Sequence, residues 1–146
     1  MAESATLSIT KQFSITVGDD EYKMDAGSTV TAIGNAVKRQ VTVPTASEVE
    51  LLKIGASVAA GTLTDAKFCI IYNVDDTNTC RVRVEDTSGH TADFKLESGQ
   101  AFDLYNTKIN VSETGAAFAS YSDWDTISAQ FDVADGELII FAGESC

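Results

Sequence analysis

Apolar residues recur at every second position through most of this chain, a period that favours strands over amphipathic helices. Leu7, Ile9, Phe13, Ile15 and Val17 hold odd positions, with Lys11 the one break, and Ser, Thr and Gln fill the even ones. Successive side chains of a pleated strand point to opposite faces, so Leu7–Val17 is expected to be one long strand buried on one face. Gly18-Asp19-Asp20 ends it, and Glu21–Asp25 supplies a short return partner before Ala26-Gly27-Ser28. Val37, Val41 and Val43 share a parity up to Pro44, which cannot donate to a ladder and stops the strand. Ser47–Leu52 has the Ser-x-x-Glu spacing of a helix capping box. Gly55 closes it too soon for a helix, which favours a strand.

The centre repeats this grammar. Lys67–Tyr72 is a run of bulky strand formers, and Asn73–Asn78 is a turn-rich bridge. Cys80, Val82 and Val84 alternate with Arg81, Arg83 and Glu85; after Asp86–His90, Ala92, Phe94 and Leu96 alternate with Asp93, Lys95 and Glu97. Ser98-Gly99 leads into Ala101–Tyr105, and the short connections predict three consecutive antiparallel hairpins. Ile127, Ala129, Phe131 and Val133 form another alternating set, and Asp135-Gly136 reads as a hairpin turn into Leu138–Phe141. That last run is apolar on both faces and so is expected at the centre of a sheet. About nine or ten short strands at this spacing predict an all-β, jelly-roll-like antiparallel β-sandwich. One domain, 1–146, accounts for them, with 1–17 reading as an N-terminal arm or a strand exchanged between subunits. A chain of 146 residues buries roughly 70% of its unfolded surface, so it needs neither metal nor disulfide to hold a core.

With 22 acidic and 10 basic residues the net charge is −12. A field of that sign repels phosphate backbones and anionic lipid, which argues against nucleic acid as a partner. It keeps a monomer soluble or steers docking onto a basic or cation-bearing surface. No run of about 18 apolar residues occurs, so no membrane span is expected. The first residues lack the basic and apolar regions of a signal peptide, so synthesis in the cytoplasm with reduced thiols is expected.

Nothing in the chain assembles a catalytic motif. His90, the one histidine, sits at a predicted turn tip beside Gly89, where a surface role is simpler than a metal or triad role. Cys69, Cys80 and Cys146 lack Cys-x-x-Cys spacing. With the bridge centred near Thr77, Cys69 would lie opposite about Val84, too far from Cys80 for a disulfide, and both read as small core residues. Cys146 reads as an exposed terminal thiol able to link subunits. Three acidic turns, Asp19-Asp20-Glu21, Asp75-Asp76 and Asp132-x-x-Asp135-Gly136-Glu137, are the candidates for calcium, though none has EF-hand spacing. Arg81 and Arg83 share a face with Lys95 across the neighbouring strand. They either pair with Asp93 and Glu97 or form a docking patch for an acidic partner. Trp124 either fills a half-buried strand start or stacks on a sugar ring together with Tyr105 and Tyr121. Asn110-Val111-Ser112 matches a glycosylation sequon, which matters only in a secreted chain. Phosphate-binding glycine loops are absent, so catalytic, metal and cofactor residues are expected to be none.

From about Val41 to Phe141 the pattern resembles small virion proteins of tailed phages, marine ones especially. The residues that carry the resemblance are Glu50–Gly55, Leu63–Phe68, Ile71–Asp75, Arg81–Val84 and Lys95–Phe102. The resemblance implies a non-enzymatic capsid decoration, or cement, protein with a jelly-roll β-sandwich on the virion exterior. It further implies binding to the major capsid protein and assembly as a homo-oligomer, a trimer foremost. The alternative is a receptor- or carbohydrate-binding module on a virion or cell-surface appendage.

Overall fold

The computed structural model describes residues 4–55, 57–58, 61–105, 108–109, 117 and 121–145. Its strands are β1 (Ala5–Val17), β2 (Asp20–Val43), β3 (Val49–Lys53), β4 (Ser57–Val58), β5 (Gly61–Thr62) and β6 (Phe68–Asn73). They continue as β7 (Cys80–Asp86), β8 (Thr91–Leu96), β9 (Ala101–Leu104), β10 (Lys108–Ile109), β11 (Ser122–Phe131) and β12 (Gly136–Ser145). Two sheets result, one ordered β1-β2-β12-β6-β9 and one ordered β10-β11-β7-β8, with β3 also paired to β11. β4 and β5 make a separate short pair. No helix is long and apolar enough to cross a membrane among the described residues.

The eight sandwich strands pair in mirror order: β2 with β12, β3 with β11, β6 with β9, and β7 with β8. The chain is in effect one long antiparallel hairpin rolled onto itself, which is the jelly roll. β12 lies between β2 and β6, as its two-faced apolarity predicts.

This topology corrects three expectations. Of the three predicted hairpins only β7–β8 is one, because β6 and β9 belong to one sheet and β7 and β8 to the other. The Asp135-Gly136 turn likewise carries the chain between sheets rather than closing a hairpin, and Val133 lies past the strand end, 78% exposed. Cys69 stands opposite Ala142 and Leu104 rather than Val84, whereas Cys80 stands opposite Phe131 and Leu96.

The main core lies between the sheets, with Leu51, Leu52, Ile71, Val82, Trp124, Ile127, Phe131, Leu138 and Ile140 all buried. Phe94 and Phe102, on the edge strands β8 and β9, bring their rings to 4.7 Å and bridge the two sheet edges. Asn73 rivets the corner where β6 leaves its sheet. Its fully buried Nδ2 donates to the carbonyls of Asn78 (2.9 Å) and Leu96 (3.1 Å), and its Oδ1 accepts from the Asp75 N–H (3.0 Å).

A second, smaller core lies on the outer face of the five-stranded sheet. On β6 and β12, Cys69, Ile71, Leu138, Ile140 and Ala142 point inward, and the intervening Phe68, Ile70 and Phe141 point outward. Leu7, Ile9, Val30 and Ile33 pack on these outward residues. The Phe68 and Phe141 rings meet edge to face at 5.0 Å, and a Cβ on Gly143 would collide with the Phe68 ring, so only glycine fits beneath it. β2 changes partner here, from β1 to β12, with both registers shifting near Ile33 and Ala32 in the left-handed region at φ 58°. That conformation costs a residue with a Cβ about 1 kcal/mol, and it bends β2 so that the β1–β2 ribbon folds across its own sheet.

Candidate functional site

The β1–β2 ribbon crosses the outer face of the sheet toward β9 and then overhangs it. At the crossing, Lys11 Nζ lies 2.5 Å from Asp103 Oδ2 and 4.7 Å from the centre of the Tyr105 ring. Beyond Lys11 the ribbon continues as an antiparallel ladder with Phe13 opposite Met24, Ile15 opposite Tyr22 and Val17 opposite Asp20. Directly opposed residues share a face. Phe13, Ile15, Val17, Tyr22 and Met24 therefore form one apolar strip, and each is 50–60% exposed. The opposite face is polar, with Gln12, Ser14 and Thr16 opposed to Asp25, Lys23 and Glu21.

The expectation that Leu7–Val17 buries one face thus holds only for its first half. Leu7 and Ile9 are covered by the second core, whereas Phe13, Ile15 and Val17 are bare. The expected short return at Glu21–Asp25 is part of the 24-residue β2, which runs on through Ala26-Gly27-Ser28 to Val43. β1, expected to reach out as an arm or exchanged strand, pairs from Ala5 to Val17 with this chain's own β2.

The side chains singled out for chemistry are engaged in holding the fold. Asp86 Oδ1 accepts the backbone N–H groups of Ser88 and His90, both at 2.9 Å, and Asp86 Oδ2 lies 3.3 Å from His90 Nδ1. Burial raises the Asp86 carboxyl, but these donors outweigh it and hold the group below its ordinary pKa. His90 is thus a turn residue tied to the carboxylate that shapes its turn. Cys69 and Cys80 are free and buried. Burial drives the Cys69 thiol far up, and burial with the nearby Asp132 charge pushes Cys80 up to about 11. Cys146 and Asn110-Val111-Ser112 lie outside the described residues.

Arg83 makes a two-pronged contact with Asp93 (2.6 and 2.9 Å), and Arg81 reaches Glu48 (2.9 Å) and Gln130 (3.0 Å). Lys95 lies 3.2 Å from Glu97. The contact with Asp93 raises the Arg83 guanidinium and lowers the Asp93 carboxyl. This face is a cross-strand charge network rather than a bare basic patch, with Glu48 its member that alternation does not foresee.

Two of the acidic turns, around Asp75-Asp76 and Asp135–Glu137, border one shallow depression of about 440 Å³. Asp75 is occupied by its own turn, accepting from Thr77 (2.9 Å) and Asn78 (2.6 Å), and these bonds lower its carboxyl. Asp135 accepts from the Thr45 N–H at 2.9 Å. No group of three or more metal-ligating side chains converges among the described residues.

Trp124 is 1% exposed, so it is a core residue and cannot offer its face to a sugar from the surface. It borders, with Tyr105, a cavity of about 780 Å³ that Asp65, Lys67 and Asp125 also line. The Trp124 Nε1 and Tyr105 hydroxyl are buried without a hydrogen-bond partner among the described residues. Tyr121 does not line this cavity, so the structure brings two of the three aromatics together.

The overhanging strip is legible in the sequence only as alternation, because a period of two marks an apolar face without saying what covers it. No family model, curated protein or solved structure matches this chain.

Proposed function

We propose that this chain is a non-enzymatic structural protein that decorates the outside of a tailed-phage capsid and stabilises it by binding the assembled shell. The observation that carries this reading is the bare apolar strip of the overhanging ribbon. It presents area and no reactive group, which suits a macromolecular surface rather than a small substrate. The jelly roll is at home in capsid proteins, but lectins and cupins share it, so the fold alone does not choose among them. The charge of −12 suits the outer side of a shell, away from packaged DNA. A protein that binds the assembled shell and not its free subunits stabilises the shell by mass action.

Co-sedimentation of the purified protein with phage heads, followed by electron microscopy of the pellet, tests this. Saturable binding at symmetry-related positions is the expected result. Recovery of all the protein in the supernatant at every ratio would exclude the decoration role.

A carbohydrate-binding role is favoured by one observation, the cavity that Tyr105 shares with the polar Thr64, Asp65, Lys67 and Asp125, with Trp124 as part of its buried wall. Trp124→Ala would empty part of the core, so Tyr105→Ala is the informative change. Glycan-array binding that Tyr105→Ala abolishes in a folded protein supports that role, and an array without signal removes it.

A further inference from the structure

We infer that the overhang of the β1–β2 ribbon is covered by a second copy of this chain, apolar strip on apolar strip. This rests on the proposed function and narrows it: the macromolecular surface that covers the strip is a second copy, and the pair as a whole meets the shell.

An isolated two-stranded ribbon is marginal in water, and three strands or a packed face are needed to hold it. This ribbon has such a face at its root, where Leu7, Ile9 and Val30 lie on Phe68, Ile70 and Phe141. Beyond Lys11 the same face continues without cover. Its five large side chains are each 50–60% exposed and together leave roughly 500 Å² of surface in one piece, toward the upper end of the largest patches that ordinary monomers expose. One strip laid on another removes at most roughly 1,000 Å² from water, the size at which a weak but specific protein interface begins.

Charge selects the occupant. Between Lys11 and Asp20 the strip carries no charged side chain, so a second strip buries none against it. The ends differ in sign, Lys11 at the root and Asp20 at the tip. Two strips related by a two-fold axis through the Ile15–Tyr22 pair run antiparallel, which keeps the two acidic tips apart, each near a root whose Lys11 is already paired with Asp103. A closed two-fold contact of this kind uses one patch twice. An anionic lipid surface is disfavoured by Asp19, Asp20 and Glu21 at the tip, which would meet it first. The Ser/Thr edge of β1 offers another route, strand addition, and this predicts a different sensitivity to mutation.

The test is the mass of the purified full chain in solution by light scattering across a dilution series. Twice the chain mass is expected at tens of micromolar, falling to the single-chain mass on dilution. Ile15→Glu, at the centre of the strip and outside both cores, should give the single-chain mass at every concentration while its circular dichroism stays unchanged and its thermal midpoint matches that of the diluted, single-chain wild type. Thr16→Glu, on the other face, should leave the pair intact. In a Cys146→Ser background, Ile15→Cys should form an oxidised cross-link between copies. A single-chain mass for the wild type overturns the inference, as does an oligomer that Ile15→Glu leaves intact, which would point to the β1 edge. A wild type that is single in solution yet binds heads refutes the pairing and spares the decoration role. One that pairs but never binds heads does the reverse.

Discussion

Replacing Asn73 by leucine keeps the heavy-atom count and branching of the side chain, with bulkier methyl groups, and removes all three of its hydrogen bonds. In the wild type its amide serves the carbonyls of Asn78 and Leu96, and its oxygen serves the Asp75 N–H, at 2.9, 3.1 and 3.0 Å. Each is worth about 1 kcal/mol net, so Asn73→Leu should destabilise by about 3 kcal/mol. With a urea slope of about 2 kcal/mol/M for a domain of this size, the unfolding midpoint should fall by about 1.5 M. Asn73→Asp should be worse at neutral pH, because a carboxylate oxygen would then face two carbonyl oxygens in a fully buried site. Such a carboxyl has its pKa raised in the folded state. Its penalty is therefore present above that pKa and fades as the pH falls through it, so the aspartate variant should approach the leucine variant in acid. Equilibrium urea unfolding followed by fluorescence and circular dichroism reads both effects. A midpoint shift below about 0.5 M for Asn73→Leu would show that the corner does not depend on these bonds.

Two further outcomes follow from the buried titratable groups. Asp86 has a depressed pKa in the folded state, so its contribution is complete above the ordinary carboxylate pKa of about 4 and is lost as the pH falls through the folded value. Asp86→Asn should cost about 1 kcal/mol at pH 7, with a smaller gap to the wild type in strong acid, measured by urea unfolding at each pH; a gap independent of pH would remove the carboxylate from the turn's account. Cys69 and Cys80 are buried with raised pKa values, so in a Cys146→Ser chain a thiol reagent at pH 8 should modify neither until the protein opens. Rapid stoichiometric modification in native buffer would contradict their place in the core.

Strands and their faces are readable from the sequence because burial on one side of a pleat imposes a period of two. Cys80, Val82 and Val84 are buried, with Arg81 exposed and Arg83 and Glu85 half-buried, as their alternation requires. Partnership is not readable. Glu97–Gln100, four residues, reads as a hairpin loop, yet four extended residues span roughly 13 Å, enough to cross the ~10 Å between packed sheets. Chain length alone therefore cannot separate a return to the neighbouring strand from a crossing to the other sheet. Gly27 looks like a strand end in the sequence, but it lies inside β2, where it takes no positive φ. Trp124 between two aspartates reads as half-buried or sugar-stacking rather than fully buried, because the sheet members that cover it are distant in sequence. The candidate surface escapes for a simpler reason: an apolar face reads identically whether its own core covers it or a partner does.

The mirror pairing also sets the order in which the sheets can close. β7 and β8 are joined by a tight turn and can pair as soon as both exist, whereas Val41 must wait for Leu138. During synthesis β2 therefore emerges with its sandwich edge open and stays so until β12 has left the ribosome. Pairings of such separation pay their loop-closure entropy before they are rewarded, which makes this a slow-folding topology. β2 also carries the bend that seats the ribbon, so the overhanging arm reaches its final position only when the last strand of the chain is in place.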